Sequence, residues 1–160
     1  MTSDEWRLMN DIEMMRIALA TARNALKSND IPVGAAIFNA SGEQISSGHN
    51  ERELHNDPTA HAEIVALRRA SQKLGSWRLE DLTLVVTLEP CAMCAGAIAQ
   101  SRIQTVIFGA WDEKAGAVGS VWDLLRDPRS TFKTEVRTGV LADECGELVR
   151  SFIQEVRKKD

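Results

Sequence analysis

The segment "LTLVVTLEPCAMCAGAIAQSRIQTVIFGA", residues 82–110, decides the fold of this chain of 160 residues. It opens with a short, β-branched apolar run that is typical of a buried strand. The residues after Pro90 predict a helix with that proline at its first position. The closing "IQTVIFGA", residues 103–110, predicts a second buried strand. A strand, a helix and a strand in so few residues require parallel strands joined by a right-handed crossover.

Regular patterns precede this unit. Apolar residues at helical spacing predict a long first helix with one buried stripe, formed by Leu8, Ile12, Met15, Leu19, Ala22 and Leu26. The stretch "IPVGAAIFNASGEQISSGHN", residues 31–50, predicts a β-hairpin that turns at Asn-Ala-Ser-Gly. Asp57 as N-cap, Pro58 at the first position and Gly75 at the end predict a second long helix.

Beyond residue 110 the pattern is weaker. Residues 111–140 are the least regular part, with a short helix predicted at "VWDLL", residues 121–125. A terminal helix is predicted with one apolar face, formed by Cys145, Leu148, Val149, Phe152, Ile153 and Val156. The sum is a mixed sheet covered by helices, an α/β layered fold. No repeat or linker interrupts it, so we predict a single domain over residues 1–160.

Composition limits the classes of function. The formal net charge of −4 argues against indiscriminate polyanion binding, although a local basic patch remains compatible with it. No segment approaches the roughly 20 apolar residues of a membrane span, and the N-terminal residues do not resemble a secretory signal. With three cysteines and no such signal, we expect a cytoplasmic protein without a structural disulfide or a membrane partner.

Cys91 and Cys94 raise a question of chemistry, because a C-x-x-C pair serves redox sites and zinc sites alike. Side chains at positions i and i+3 of a helix project about 60° apart, so both sulfurs face one point. The unpaired N–H groups at a helix N-terminus favour the thiolate, which is the form that binds metal. Two small buried thiols without a function are the plain structural alternative.

His61 and Glu63, in "TAHAEIVAL", residues 59–67, stand two positions apart, which makes sense mainly at the mouth of a helix. Two helix N-termini can then meet, one with this pair and the other with the cysteines. One imidazole and two thiolates leave a tetrahedral zinc position open for water, as catalytic sites do, and a nearby glutamate can shuttle protons. A fourth protein ligand from His49, His55 or Cys145 would instead close the site.

The combination of H-A-E with P-C-x-x-C matches the signature of zinc deaminases of nucleobases. The segments "IPVGAAI", "GHN", "DPTAHAEIVALR", "TLEPCAMCAGAI", "SRIQTVIFGAWDEKAGAVGS" and "GVLADEC" follow one another as in bacterial tRNA-specific adenosine deaminases, a family that the chain resembles over residues 10–157. The resemblance implies a three-layer α/β/α, cytidine-deaminase-like fold, a homodimer and one Zn²⁺ in each subunit. It also implies hydrolytic conversion of the wobble adenosine of a tRNA anticodon stem-loop to inosine, by a zinc-activated water and a glutamate proton shuttle.

Individual roles follow from the matching positions. The resemblance assigns zinc binding to His61, Cys91 and Cys94, proton transfer to Glu63, and substrate contacts to Asn50, Asp112 and Lys114. Asn50 corresponds to an asparagine that hydrogen-bonds the extruded nucleoside, Asp112 to an acid near a neighbouring ribose, and Lys114 to a backbone contact.

The chain also departs from the family pattern. Trp111 replaces a smaller or more polar residue of many relatives and either stacks on an RNA base or packs in the protein. Phe152 and Ile153 stand where some relatives carry two aromatic residues. The basic residues Arg157, Lys158 and Lys159 either contact phosphate or only complement the helix dipole.

Two other functions remain compatible with the sequence. A zinc-dependent deaminase of a free base or nucleoside, of the guanine or cytosine type, would share the signature but not the polynucleotide substrate. A non-catalytic, zinc-stabilised RNA-binding or scaffold module would need a closed metal site and no Glu63.

Overall fold

The structure is a computed structural model that describes residues 1–160. Its elements follow in this order: helix α1 (Ser3–Ala22), a 3₁₀ helix (Arg23–Ser28), strands β1 (Gly34–Phe38) and β2 (Gln44–His49), helices α2 (Arg52–His55) and α3 (Ala62–Leu74), strand β3 (Thr83–Leu88), helix α4 (Ala92–Ser101), strands β4 (Thr105–Ala110) and β5 (Glu135–Arg137), and helix α5 (Ala142–Lys159). None of the helices combines the length and apolar character that a membrane crossing requires.

The five strands form one mixed sheet in the order β2-β1-β3-β4-β5. Strand β1 pairs antiparallel with both β2 and β3, whereas β3, β4 and β5 run parallel to one another. The hairpin over residues 31–50 and the β3-α4-β4 unit that the sequence predicts are therefore both confirmed. In the parallel pair, Val86 faces Phe108 across the ladder.

Helices cover both faces of the sheet. Val85 and Val86 point to opposite faces, as neighbours in a strand must. Val86 packs in a core with residues of α3 and α4, and Val85 in a second core with residues of α1 and α5. The predicted three-layer α/β/α arrangement is confirmed. Both layers are needed because the four central residues of β3 are buried, so that neither face of the strand is left to solvent.

The apolar stripe of the first helix is shorter than predicted. Met15, Leu19 and Ala22 are buried, but the side chains of Leu8 and Leu26 are 54% and 43% exposed. Residues 3–10 are all exposed, so the first turns of α1 have no sheet beneath them. Helix α1 ends at Ala22, and the tighter 3₁₀ helix that follows changes the angular position of later side chains and leaves Leu26 in solvent.

Two further sequence predictions were wrong in detail, and one strand was missed. The apolar face of α5 is buried only in its first half, because Ile153 and Val156 lie beyond the sheet and are exposed. Residues 121–125 form no helix, and the Leu124 amide instead donates to the Ala117 carbonyl across a loop. Strand β5 was not predicted, since its three residues are partly polar and show no strand pattern.

Candidate active site

His61 and Glu63 lie at the N-terminal mouth of α3. His61 is the N-cap in extended conformation, and Glu63 is the second residue of the helix. The predicted start at Pro58 was wrong: the Asp57 carboxylate accepts hydrogen bonds from the Thr59 amide and hydroxyl, at 2.8 and 2.7 Å, and closes a separate turn. Asx turns of this kind compete with helix initiation. The helix does end at Gly75, in left-handed conformation, as predicted.

Cys91 and Cys94 occupy the corresponding positions on α4. Cys91 is the N-cap, preceded by Pro90, so that the helix begins at Ala92 and Cys94 lies in its first turn. The sequence predicted Pro90 at the first position of the helix, but the structure places it just before the N-cap, outside the helix. Both cysteines are free thiols, so no disulfide joins them.

The two helix mouths bring three donor atoms together. His61 Nδ1 lies 3.6 Å from Cys91 Sγ and 3.5 Å from Cys94 Sγ, and all three atoms fall within 4.8 Å of one another. A tetrahedral ion with a Zn–S bond of about 2.3 Å and a Zn–N bond of about 2.05 Å would separate nitrogen from sulfur by about 3.5 Å. The donor types and their spacing therefore both fit zinc.

The protonation of these groups reflects their packing. Hydrogen bonding from the Cys94 thiol, and then from His61, lowers the pKa of Cys91 to about 4. The same contact with Cys91, together with burial, raises the pKa of Cys94, and the hydrogen bond to Cys91 raises that of His61. Cys91 is thus already a thiolate near neutral pH, the form in which cysteine binds metal.

Glu63 is buried beside this cluster. The residue is 4% exposed, and burial raises the pKa of its carboxyl group above the ordinary value. Its own backbone N–H and the Cys94 thiol act in the opposite direction. A buried carboxyl group with a raised pKa is suited to both accept and release a proton near neutral pH.

The cluster opens into a cavity of about 200 Å³. That is smaller than the roughly 300–1,000 Å³ of most small-molecule sites, and it suits a part of a nucleotide such as its base. The cavity is lined by Ile31, Val33, Asn50, Arg52, His61, Ala62, Glu63, Leu88, Glu89, Cys91, Asp112 and Ala115. Five of these come from the predicted site: Asn50, His61, Glu63, Cys91 and Asp112. Cys94 is buried behind them, and Lys114 is exposed outside the cavity.

Asn50 lines the cavity, and its side-chain amide already makes two hydrogen bonds within the protein. Its Nδ2 donates to the Ile31 carbonyl at 3.2 Å, and its Oδ1 accepts from the Arg52 amide at 3.2 Å. A side-chain amide has two donor hydrogens and two acceptor lone pairs. One of each is therefore left for a ligand, and the two bonds to the protein fix the direction in which they point.

The Asp112 carboxylate likewise uses only one of its two oxygens within the protein. Its Oδ1 accepts from the Lys114 and Ala115 amides at 3.1 and 3.2 Å, which closes the turn that follows β4. Its Oδ2 makes no hydrogen bond within the chain. The carboxylate thus shapes its own loop with one oxygen and presents the other at the rim of the cavity.

Two charged residues of the cavity, Arg52 and Glu89, were missed by the sequence analysis. Glu89 is buried, and the only available signal was its place between a buried strand and Pro90, where a charged residue is unusual. Arg52 is exposed at the rim and makes no salt bridge, whereas the nearby Arg68 and Arg69 pair with Asp57 and Glu51. A single arginine at the start of the short helix α2 gives no pattern that sequence reasoning could use.

The residues considered as a fourth metal ligand lie elsewhere. His49 and His55 both point at Glu51, with Nε2 atoms 3.7 and 3.2 Å from its carboxylate oxygens. Cys145 is buried in the core on the opposite face of the sheet, and burial raises the pKa of its thiol to about 12. The three-residue cluster of His61, Cys91 and Cys94 has no fourth protein donor.

Most of the residues that depart from the family pattern are exposed, whereas Phe152 is half-buried. Trp111 packs edge-to-face on Phe108 with ring centroids 4.9 Å apart. It is nevertheless 46% exposed, so part of its ring surface remains free for contact with a ligand. On α5, Lys158 pairs with Glu155 at 3.4 Å, while Arg157 and Lys159 make no salt bridge.

Comparison with known proteins places this site in a family. A model described as the cytidine and deoxycytidylate deaminase zinc-binding region matches residues 8–110. The tRNA-specific adenosine deaminase of Bacillus subtilis is 44% identical over 145 residues, which cover 91% of this chain and 89% of that protein. The enzyme of the same name from Haemophilus influenzae is 45% identical over 149 residues, covering 93% and 86%. The match to a zinc-binding region confirms the predicted cofactor.

Solved structures give the same relation. A structure from a study of A-to-I editing by tRNA:A34 deaminases at the wobble position superimposes with a TM-score of 0.81 and 39% identity, covering 85% of this chain and 98% of that one. The guanine deaminase of Nitrosomonas europaea superimposes with a TM-score of 0.75 and 29% identity, covering 88% and 83%. Similarity is thus higher to the tRNA-editing structure than to the free-base enzyme.

Proposed function

Because the chain belongs to the cytidine and deoxycytidylate deaminase family, and within it to the tRNA-specific adenosine deaminases, we propose that it deaminates the wobble adenosine of a tRNA anticodon to inosine. One observation carries the proposal. The donor atoms of His61, Cys91 and Cys94 meet at tetrahedral spacing beside a buried Glu63, in a cavity that a base can enter.

The proposed zinc ligands are His61, Cys91 and Cys94. When bound at such a site, zinc polarises a water molecule and lowers its pKa, which makes a nucleophile available near neutral pH. Two thiolates neutralise the charge of the ion more than imidazoles would. A neighbouring base is therefore needed more than at an all-histidine site.

Glu63 is that base in the proposed mechanism. Hydrolysis adds the elements of water at C6 of the purine and releases the 6-amino group as ammonia, so protons must reach ring N1 and the leaving nitrogen. The Glu63 carboxylate takes one proton from the water and passes it to N1. It then takes the second proton, from the hydroxyl group added at C6, and passes it to the amine, so that C6 keeps a carbonyl oxygen and ammonia leaves. Burial makes the protonated state accessible to it.

Asn50, Asp112 and Lys114 position the substrate in this proposal. Asn50 offers one donor and one acceptor to the extruded nucleoside, and Asp112 offers Oδ2 at the rim. A base in an anticodon loop is unpaired, so its extrusion costs less than from a duplex. For Lys114 we propose a contact with the phosphate backbone, which its exposure on the same loop permits.

The function is tested by activity on a panel of substrates. The purified protein is incubated with an anticodon stem-loop that carries adenosine at the wobble position, a matched stem-loop with guanosine there, free adenosine, guanine and cytosine. We expect inosine, detected by mass, only in the first stem-loop. Efficient turnover of guanine or cytosine alone would contradict the tRNA assignment and favour the free-base enzyme.

We also propose that each subunit is one domain over residues 1–160 and that two subunits form a homodimer. The support is the outer surface of α4, where the apolar side chain of Met93 is exposed between Ala92 and Gly96, which are small enough for a second copy to pack closely. Light scattering should give twice the chain mass of 17.7 kDa. The exchange Met93→Glu should lower that mass, and an unchanged dimer would place the interface elsewhere.

A further inference from the structure

Glu89 is a buried acid with no basic partner. It follows directly on β3, is 2% exposed, and forms no salt bridge. An unpaired buried carboxylate is costly unless hydrogen bonds replace the water that it loses. The sequence and the proposed mechanism give this residue no role, although it lines the catalytic cavity.

The carboxylate is satisfied entirely by the loop that follows β4. Oε1 accepts from the Asp112 amide at 3.0 Å and from the Ser120 hydroxyl. Oε2 accepts from the Val118 and Ser120 amides, both at 3.0 Å. Two carboxylate oxygens offer about four acceptor positions, so none remains for a substrate or a proton in transit. Glu89 therefore does not compete with Glu63 as the catalytic acid or base.

The loop is built around this carboxylate. A Cβ atom at Gly116 would lie 2.3 Å from the carboxyl carbon of Glu89, so only glycine leaves room for it there. The Ala117 amide donates to the Pro90 carbonyl at 2.8 Å, next to a bridge between Cys91 and Gly116. The loop is thereby attached to the segment that leads into α4 and its cysteines.

The same loop forms one wall of the cavity, through Asp112 and Ala115. Because one buried carboxylate accepts four hydrogen bonds from this loop, the loop has few alternative positions. We propose that Glu89 is a positioning residue of the deamination reaction: it holds the loop 112–120 as the substrate-facing wall, so that Asp112 is in place before the nucleotide binds. The effect on catalysis rests on the proposed function, but the anchoring of the loop does not.

The exchange Glu89→Gln tests the proposal, because the amide NH₂ would face two of the four donors. Glu113→Gln is the matched control, since Glu113 is an exposed acid of the same loop without a hydrogen bond. We expect amide hydrogen exchange at Asp112, Val118 and Ser120 to rise at least about tenfold in the first variant only. Zinc content should stay equal to that of the unchanged protein.

Kinetics on the anticodon stem-loop separate positioning from general damage. Loss of a binding wall removes interactions that are equal in ground and transition state, so KM should rise about tenfold with kcat nearly unchanged. A merely structural defect would lower the active fraction, and thus kcat, at constant KM. If Glu89 acts through Asp112, the exchange Asp112→Ala should cost less in the Glu89→Gln background than alone.

Each outcome decides something. Unchanged amide exchange in Glu89→Gln, or fully additive effects with Asp112→Ala, would overturn the proposal. If Glu89→Gln does not fold, Ser120→Ala removes one donor at an exposed position, and exchange at Asp112 and Val118 equal to the unchanged protein would overturn it. If the unchanged protein fails to deaminate the stem-loop, the proposed function fails, while the exchange data still test the anchor.

Discussion

At the scale of single residues, the three carboxylates that line the cavity are separated by what their oxygens already bind. Glu89 has both oxygens filled by the loop, and Asp112 uses one oxygen for its own turn. Glu63 lies instead beside the Cys94 thiol, with its pKa raised by burial. These contacts support Glu63, and neither of the other two carboxylates, as the proposed proton-transfer residue.

The exchange Glu63→Gln should strongly reduce turnover and leave zinc in place. Gln keeps the size of the side chain but cannot accept a proton, so kcat on the stem-loop should fall about 10²–10⁴-fold. Glu53→Gln, an exposed acid on α2, is the control and should be fully active. Elemental analysis and single-turnover rates would measure both effects. Turnover by Glu63→Gln at the rate of the control would refute its assigned role.

Replacement of each of the three cysteines by alanine should affect zinc content differently. Cys91→Ala and Cys94→Ala each remove one of three donors, and the zinc bound after dialysis should fall well below one ion per chain. Cys145→Ala should keep full zinc, because that thiol is buried in the opposite core with a pKa raised to about 12. Loss of zinc from Cys145→Ala, or full zinc in Cys91→Ala, would show the ligand set to be wrong.

At the scale of elements, the sequence was most informative where pattern and turn chemistry agreed. Continuous β-branched runs predicted β3 and β4, and the Asn-Ala-Ser-Gly turn between two strand patterns predicted the hairpin. The start of α3 was misjudged because Asp57 and Pro58 are equally good residues for the turn that Asp57 closes with Thr59. The buried apolar faces of α1 and α5 were predicted too long because amphipathic periodicity continues beyond the sheet that it would cover.

Helix α3 depends on close contact with β2 at Gly48. A Cβ atom there would lie 2.8 Å from the Ala66 amide nitrogen and 2.9 Å from the Ala62 carbonyl oxygen. The exchange Gly48→Ala should therefore push away the helix that carries His61 and Glu63. We expect a loss of about 1–3 kcal/mol in the free energy of unfolding, as for overpacked cores, and weaker zinc binding.

Urea denaturation and zinc titration would measure the two effects. The control is Gly146→Ala in α5, where the added methyl group meets only the mobile end of the Arg150 side chain, at 2.9 Å. Alanine is favoured over glycine inside a helix by about 0.5–1 kcal/mol, so this variant should be as stable as the unchanged protein or more stable. Equal stability of the two variants would contradict the role of Gly48 as a contact point.

At the scale of the whole molecule, the site forms where segments from different parts of the chain meet at one edge of the sheet. Parallel pairing brings the ends of β3 and β4 together, so Cys91 and Asp112 could be predicted as neighbours. Strand β1 runs antiparallel to β3, which places Val33 and the end of β2, with Asn50, at the same edge. The sequence alone could not decide this, since a hairpin can join either side of a parallel pair.

The charge of the whole molecule opposes its proposed substrate. The chain carries a net charge of −4, and Glu63, Glu89 and Asp112 line the cavity. The phosphates of an RNA strand must therefore be bound by individual cationic side chains near the entrance of the cavity. Arg52 is the only arginine or lysine that lines the cavity, and it is not neutralised by any acid.

The exchange Arg52→Ala should weaken stem-loop binding in a salt-dependent way. One phosphate contact to a single strand releases about 0.7 of a counterion, so the plot of log Kd against log salt should become shallower by about 0.7. Titrations in the inactive Glu63→Gln background measure this without turnover. Arg68→Ala, which removes an exposed cation that pairs with Asp57 at 3.8 Å, should leave the slope unchanged. Equal slopes for the two arginine variants would show that Arg52 contacts no phosphate, and the electrostatic support for RNA would then have to come from outside the cavity, from Lys114 or the end of α5.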